Sequence, residues 1–332
     1  MRKIAAIVVA AAFVASLAAC SDLPAQVQGC TPNSTAGSAS NAISASGKFG
    51  SDPKTHVPTP TVSSRIETSV LSKGSGMELG NGDVGVGQVT VYDGATGKPL
   101  FSSAANGKYS DSTQTELSIG NKKIPFSRYL DCQTVGSRTA TIMSATNWFG
   151  DKATATSNNF SPTATFVVVT DITKGFRGRA TGVLQPPQAG FPSVVTSTNG
   201  TPGITLDLQS PPKTLQWEVV RRGSGEKVKA GEGVLLQVQG IEWTNPAPTT
   251  TFDSTWTTGT PRPYVLTALT SADGTNSLDP GSVKALVGQT VGSQVLVVVP
   301  PKFGYPSGKA PSGYPTGSTL IYVYDVIGVI AK

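Results

Sequence analysis

Apolar and polar positions alternate most clearly in the C-terminal third of the chain. GEGVLLQVQGIEW at 231–243 switches face residue by residue, SQVLVVVP at 293–300 is a continuous apolar run, and STLIYVYDVIGVI at 318–330 alternates over a long closing segment. Period-two alternation predicts half-buried strands, and a short apolar run bounded by turn residues predicts a strand buried on both faces. One segment, DPGSVKALVGQ at 279–289, predicts a helix: Asp279 caps it, Pro280 suits its first turn and Gly288 stops it. A sheet of about five short strands over one short helix is an α+β fold.

The same pattern occurs a second time. VLSKGSGMELGNGDVGVGQVTVYD at 70–93 parallels VVRRGSGEKVKAGEGVLLQVQGIEW at 219–243, and PLFSS at 99–103 parallels TTFDS at 250–254. QTVGSRTATIMSATNWFGD at 133–151 parallels QTVGSQVLVVVPPKFGY at 289–305, and ATFVVVTDI at 164–172 parallels TLIYVYDVI at 319–327. Order is kept and the offset stays near 150 residues, too long a period for a solenoid, so it marks a duplicated domain. The predicted domains are 48–180 and 189–332, with a Pro-rich join at 181–188. A length of 332 residues agrees with two domains.

The N-terminus differs in kind. MRK is followed by an apolar run that ends in LAAC at 17–20. That run is shorter than the ~20 residues of a bilayer span. A small-residue site after such a run predicts secretion, with a plain signal peptide or an uncleaved anchor as the alternatives. Residues 1–19 are expected to be removed. Residues 20–47, dominated by Ser, Ala, Gly, Thr and Pro, are expected to form a flexible tether.

Charge and composition remove several functions. The net charge of +6 falls to about +4 without Arg2 and Lys3, and basic residues are scattered singly, so no nucleic-acid partner is expected. GNGDVG at 80–85 fits G-x-G-x-x-G, yet a strand pattern follows it where a dinucleotide site needs a helix. His56 is the single histidine and the three cysteines lack metal spacing, which argues against a His-based triad or a metal site. An enzyme of this composition would work without nucleophile, metal, cofactor or histidine base. Rotation about a prolyl peptide bond is such a reaction.

The residues RRGSGEKVKAGEGV, FDSTWTTGTPRPYVL, LVGQTVGSQVLVVVPPKFGY and GYPTGSTLIYVYDVIGV resemble, in order, an FKBP-type peptidyl-prolyl cis-trans isomerase over nearly all of 215–332. LAAC resembles a bacterial lipobox, which implies acylation of Cys20, and the whole chain is similar to actinobacterial surface lipoproteins. With Cys20 lipidated in an oxidising compartment, Cys30 and Cys132 are expected to form a disulfide. The resemblance implies a curled antiparallel sheet over one helix, proline-containing polypeptide substrates, a lipid anchor to the membrane and a monomer.

Position by position, the resemblance assigns Phe252 and Asp253 to the pocket aromatic and the buried carboxylate, Tyr305 to a hydroxyl that meets a substrate carbonyl, and Tyr322 to an aromatic wall. Tyr264, Leu278 and Tyr314 complete the expected pocket. Ser282 stands where the family commonly has an aromatic floor, Val238 where it has a wall tyrosine, and Thr258 where an arginine often partners the aspartate. In the first copy the motif alignment sets Ser102 against Asp253 and Asp151 against Tyr305, which implies a hydrated, inactive pocket. The alternative is a non-catalytic chaperone or protein-binding lipoprotein built from two degenerate domains.

Overall fold

In the first copy a two-stranded hairpin packs on one face of a larger sheet built from distant segments. The computed structural model describes residues 30–104, 114–119, 126–206, 210–244, 250–267, 278–307 and 309–331. In the first copy, helix α1 (Ser38–Asn41) precedes a hairpin of β1 (Ser44–Ser46) and β2 (Lys54–His56). Then come β3 (Glu67–Ser72), β4 (Val84–Asp93), β5 (Pro99–Ser102), β6 (Thr115–Ser118), β7 (Arg138–Ser144), helices α2 (Ala145–Phe149) and α3 (Lys152–Ser157), and β8 (Thr165–Phe176). Among the described residues the main sheet has the order β3-β7-β8-β4-β5, with β6 also paired to β4.

The second copy opens with β9 (Val183–Leu184) and a hairpin of β10 (Ser193–Thr196) and β11 (Pro202–Thr205). It continues through β12 (Gln216–Arg222), β13 (Gly233–Glu242), β14 (Thr251–Ser254), β15 (Arg262–Val265), helix α4 (Pro280–Leu286), β16 (Gln294–Val299) and β17 (Leu320–Ala331). Its sheet runs β14-β13-β17-β16-β12-β9, with β15 also paired to β13. This is the expected α+β arrangement, with two such sheets in tandem. The helix expected at 279–289 forms as α4, capped by Asp279, whose Oδ1 accepts from the Ser282 N–H at 2.8 Å.

Strand pairing shows that the two copies share one register. Val91 pairs with Val168 as Gly240 pairs with Tyr322, so these positions correspond. On the other edge Val91 pairs with Phe101, and Gly240 pairs with Asp253. Two matching clamps fix the alignment. The Ser103 N–H donates to the Val89 carbonyl at 2.8 Å while its hydroxyl donates to Gln88 at 2.9 Å. The Thr255 N–H likewise donates to Val238 at 3.0 Å and its hydroxyl to Gln237. Phe101 therefore corresponds to Asp253, and Leu100 to Phe252, one residue away from the motif alignment. Both edge strands carry the same bulge, at Leu100 and at Phe252, so the pairing and not the shared Phe-Ser type fixes the correspondence.

Both faces of each sheet are covered, and this corrects the expected tether and linker. In the second copy Val295, Val297 and Val299 face a core shared with α4, while Leu296, Ile321 and Val323 face Val194 and Ile204 of the back hairpin. In the first copy Ile43 and Val57 cover Ala140, Ile142, Val167 and Val169. Residues 31–47 are thus part of the first domain. Their short hydroxyl side chains bind the sheet: Ser34 meets Thr68 at 2.6 Å and Ser40 meets Ser69 at 2.7 Å. Asn33 is held by Asp131, and Cys30 and Cys132 are both disulfide-bonded. Residues 183–184, expected in a linker, form an edge strand on β12. Cys20 and the 1–19 leader lie outside the described residues.

The covering segments cross apolar surface, so their backbone groups need partners. Asp171 and Asp325, at matching positions in the last strands, supply them. Asp171 accepts from the Gly50 N–H at 2.6 Å and from Arg138 at 2.5 and 2.7 Å. Arg138 also donates to the carbonyls of Gly47 and Lys48, each at 3.2 Å. Asp325 accepts from the Ala180 N–H at 2.7 Å and from Gln294 at 2.8 Å, and burial pushes its carboxyl up to about 6. The copies meet where Phe176, Val84, Leu235, Ile327 and Ile330 pack together.

Arg138 and Asp171 are only 4% and 2% exposed, so replacing Arg138 leaves a buried charge unpaired and breaks the contacts to the Gly47 and Lys48 carbonyls. Arg138→Met is expected to lower the stability of the first domain by about 3–5 kcal/mol, read from the urea unfolding of the full chain in mild detergent. A loss below about 1 kcal/mol would show that the latch does not hold the covering segment.

Candidate active site

Glycine at 240 creates the room for an aromatic cluster. A side chain there would place Cβ about 3.0 Å from the Phe252 ring and 3.1 Å from Tyr322. Without it, Phe252 from the edge strand β14 lies against the sheet. Its ring centroid is 4.9 Å from Tyr314 and 5.6 Å, edge-on, from Tyr322. Tyr305 meets Tyr314 at 5.6 Å with perpendicular planes. Phe252, Tyr305 and Tyr314 are half-buried and form the outer wall. Tyr322, Tyr264, Val238 and Leu278 are buried in the core beneath them.

One corner of the cluster is ionic. Asp253 is 8% exposed and accepts from Arg262 Nη1 at 3.1 Å and Nη2 at 2.9 Å, a bidentate pair, and from the Tyr314 hydroxyl. Arg262 Nη1 also donates to the Tyr264 hydroxyl at 2.9 Å. Burial opposes the Arg262 charge, but Asp253, Tyr264 and Tyr314 outweigh it and push its pKa above the ordinary arginine value. Burial pushes Tyr264 up to about 12. It raises Tyr305 and Tyr314 too, with the negative charges of Asp279 and Asp253 adding to it. These phenols stay neutral donors across the physiological range.

The arginine partner expected to be missing at Thr258 is therefore supplied by Arg262. The signal was in the sequence: in RPYV, Arg262 and Tyr264 are two residues apart on a strand and face the same side. Ser282 is not an open floor. Its hydroxyl donates to Asp279 Oδ2 at 2.7 Å and accepts from the Tyr324 hydroxyl at 2.9 Å. Tyr324 stacks on Tyr322 at 5.2 Å, so a ring from β17 fills the space beneath the helix that an aromatic at 282 would take. Asp279 is wholly enclosed, and burial pushes its carboxyl up to about 6.

The first copy differs from the expected hydrated pocket. Asp151 is exposed and caps α3, accepting from the Thr154 N–H at 2.8 Å. Counting on from the paired strands, Phe149 is level with Tyr305. A cleft of about 220 Å³ opens there between Leu100, Phe101, Trp148, Phe149 and Phe160, over Phe166 and Val91. The turn after α4 matches the turn after a short 3-10 helix, Ser127–Leu130, of the first copy: the Gly288 N–H donates to the Val228 carbonyl and the Cys132 N–H to the Leu79 carbonyl, both at 2.8 Å. Six residues before it stand Phe126 and Ser282, and Phe126 stacks on Trp148 at 4.5 Å. Among the described residues, the first copy has aromatic rings where the second has its polar corner.

Residues 224–327 match the family model of the FKBP-type peptidyl-prolyl cis-trans isomerases. No curated protein matches the chain. Among solved structures it is similar to FkpA from Escherichia coli, with 26% identity over 41% of this chain and 51% of that one and a TM-score of 0.28. It is also similar to the three FKBP domains of wheat FKBP73, with 13% identity over 80% of this chain and 94% of that one and a TM-score of 0.32. The chain spans about half the length of FkpA.

Because Tyr324 occupies the space under α4, Ser282→Trp is expected to overpack the core. The cost should be about 1–3 kcal/mol, seen as a lower urea midpoint for the second domain. Unchanged stability would mean that the floor is open after all.

Proposed function

We propose that this chain, whose residues 224–327 are an FKBP-type peptidyl-prolyl cis-trans isomerase domain, is a membrane-anchored foldase that acts on secreted polypeptides outside the cytoplasm, with its activity in the second domain. The observation that carries the assignment of activity is the aromatic wall of Phe252, Tyr305 and Tyr314 beside the Asp253–Arg262 pair; among the described residues the first copy has aromatic rings at this corner without such a pair.

The chemistry needs little more. Prolyl isomerisation meets a barrier of ~18–20 kcal/mol and takes tens to hundreds of seconds. A thousandfold acceleration requires about 4 kcal/mol. A planar amide is stabilised by charge separation between its oxygen and nitrogen. Among aromatic rings that form loses solvation, while the twisted amide, whose conjugation is broken, loses less. The neutral hydroxyl of Tyr305 can hold a substrate carbonyl. The Asp253–Arg262 pair holds the Tyr314 and Tyr264 hydroxyls and so fixes the wall in place. No bond is made or broken, so no proton or electron needs a carrier.

Anchoring rests on the leader sequence. A Cys20 bearing two or more acyl chains would bind membranes stably where a single chain is marginal. No helix of the described residues is long and apolar enough to cross a membrane. The proposed form is a monomer tethered to the outer face of the cytoplasmic membrane.

Two experiments test this reading. Asp253→Ala and Tyr305→Phe are each expected to slow isomerisation of a short proline peptide by the full chain by about tenfold or less, the scale of one supporting hydrogen bond. Wild-type turnover at the uncatalysed rate would transfer the reading to a non-catalytic chaperone. Cys20→Ala is expected to release the protein from membranes or to leave an unprocessed precursor. Normal processing with full membrane retention would overturn the lipid anchor.

A further inference from the structure

We propose that the aromatic cleft of the first domain is a second client-binding site, which holds a proline-bearing apolar segment of polypeptide without turning it over. The choice of client class rests on the isomerase reading of the second domain. The cleft itself does not.

The cleft lies at the corner of the fold that the candidate active site occupies in the second copy, on the same two paired strands. It is open at its mouth, where Phe101 is 51% and Leu100 is 42% exposed. Large apolar side chains gathered at the rim of a concavity mark a surface that receives another molecule. Its walls are already in position. Phe160 meets Phe166 edge-on at 5.0 Å and stacks with Phe149 at 5.9 Å, while Phe126 braces Trp148 from behind. Binding therefore requires little ordering of the site. A volume of about 220 Å³ suits one small ring and an adjoining apolar group.

The lining selects the occupant. Among the described lining residues, the indole N–H of Trp148 is the one polar side-chain group. An ordinary peptide residue would bring its own N–H into this apolar site and lose that group's hydration without a replacement partner. Proline carries no N–H, and its ring presents C–H edges to aromatic faces. An X-Pro unit thus enters with one buried donor fewer than any other dipeptide.

The same comparison explains why the cleft would hold rather than turn. Phe101 stands at the position of Asp253, Thr115 at that of Arg262, and Val168 at that of Tyr322. The phenol hydroxyl and the Asp–Arg pair of the second copy have no counterpart at these positions, where Thr115 carries the one hydroxyl. Val91 in place of Gly240 also fills the space in which a wall ring would lie against the sheet. A client gripped here raises its own concentration at the second domain, so weak affinity at each site suffices for capture.

The test uses the full chain in mild detergent and the peptide acetyl-Ala-Leu-Pro-Phe-amide. Isothermal titration calorimetry is expected to give two sites per chain. Phe101→Asp, and separately Leu100→Asp, should weaken one of them by about tenfold or more while isomerisation at the other continues at the wild-type rate. Both residues are exposed at the rim, so either variant should fold, and unchanged circular dichroism checks this. The same peptide with Ala in place of Pro should fill neither site well. A single site in wild type, no effect of either variant, or equal binding of the Ala peptide would overturn the proposal. So would a chain whose mass in solution halves with Phe101→Asp, because the cleft would then hold a second copy. Two-site binding without any turnover would defeat the isomerase reading and support this one.

Discussion

Each sheet in this chain is apolar on both faces, and most of the architecture follows from the need to cover both. In β16 every residue from Gln294 to Val299 is buried, with alternate side chains serving opposite cores. Fully burying one such Val or Leu side chain is worth about 1.5–3 kcal/mol, so an uncovered face would forfeit a large part of the fold's stability. The helix α4 covers one face in the second copy, and the hairpin β10–β11 covers the other. In the first copy the segment around Ile43 and Val57 does the work of that hairpin. Asp171 and Asp325 follow from the same need, since a backbone laid over apolar strands has lost water and must find protein partners.

The two copies show how one corner of a scaffold takes two chemistries through few positions. Where the backbone has glycine at 240, Phe252 lies flat and frees its neighbour Asp253 to meet Arg262 and Tyr314. Where the same position is Val91, the edge strand presents Phe101 and the site closes over rings. The ionic corner and the apolar cleft are therefore not stages of decay from one to the other.

The repeat, the fold class and the helix were legible because they depend on local signals: period-two alternation, an Asp-Pro cap, a glycine stop; the pocket residues came only from the resemblance to a family. What escaped depends on three-dimensional register. The motif alignment matches Phe101 to Phe252 by residue type and so sets Ser102 against Asp253, whereas pairing to the neighbouring strand puts Phe101 level with Asp253. The family pattern sets the arginine partner of Asp253 at Thr258, whereas strand parity sets Arg262 beside Tyr264 and so within reach of Asp253. The segment 31–47 reads as a tether because Ser, Thr and Ala are poor in bulk. Here one isoleucine and several hydroxyls suffice, because the face they cover is preformed by distant strands.

A ring from one copy rests in a notch of the other. Phe176 ends the last strand of the first domain, and any side chain at Gly328, in the last strand of the second, would bring Cβ to about 2.5 Å from that ring. The notch is made by an absent side chain, so neither half is self-sufficient at this seam. Separated from its twin, the second half would carry an apolar slot on its closing strand, and the first would end in a bare phenylalanine. The duplication has thus become irreversible in a physical sense: two units descended from one plan now complete each other's surface, and their mutual orientation is set by a lock whose key is a missing methyl group.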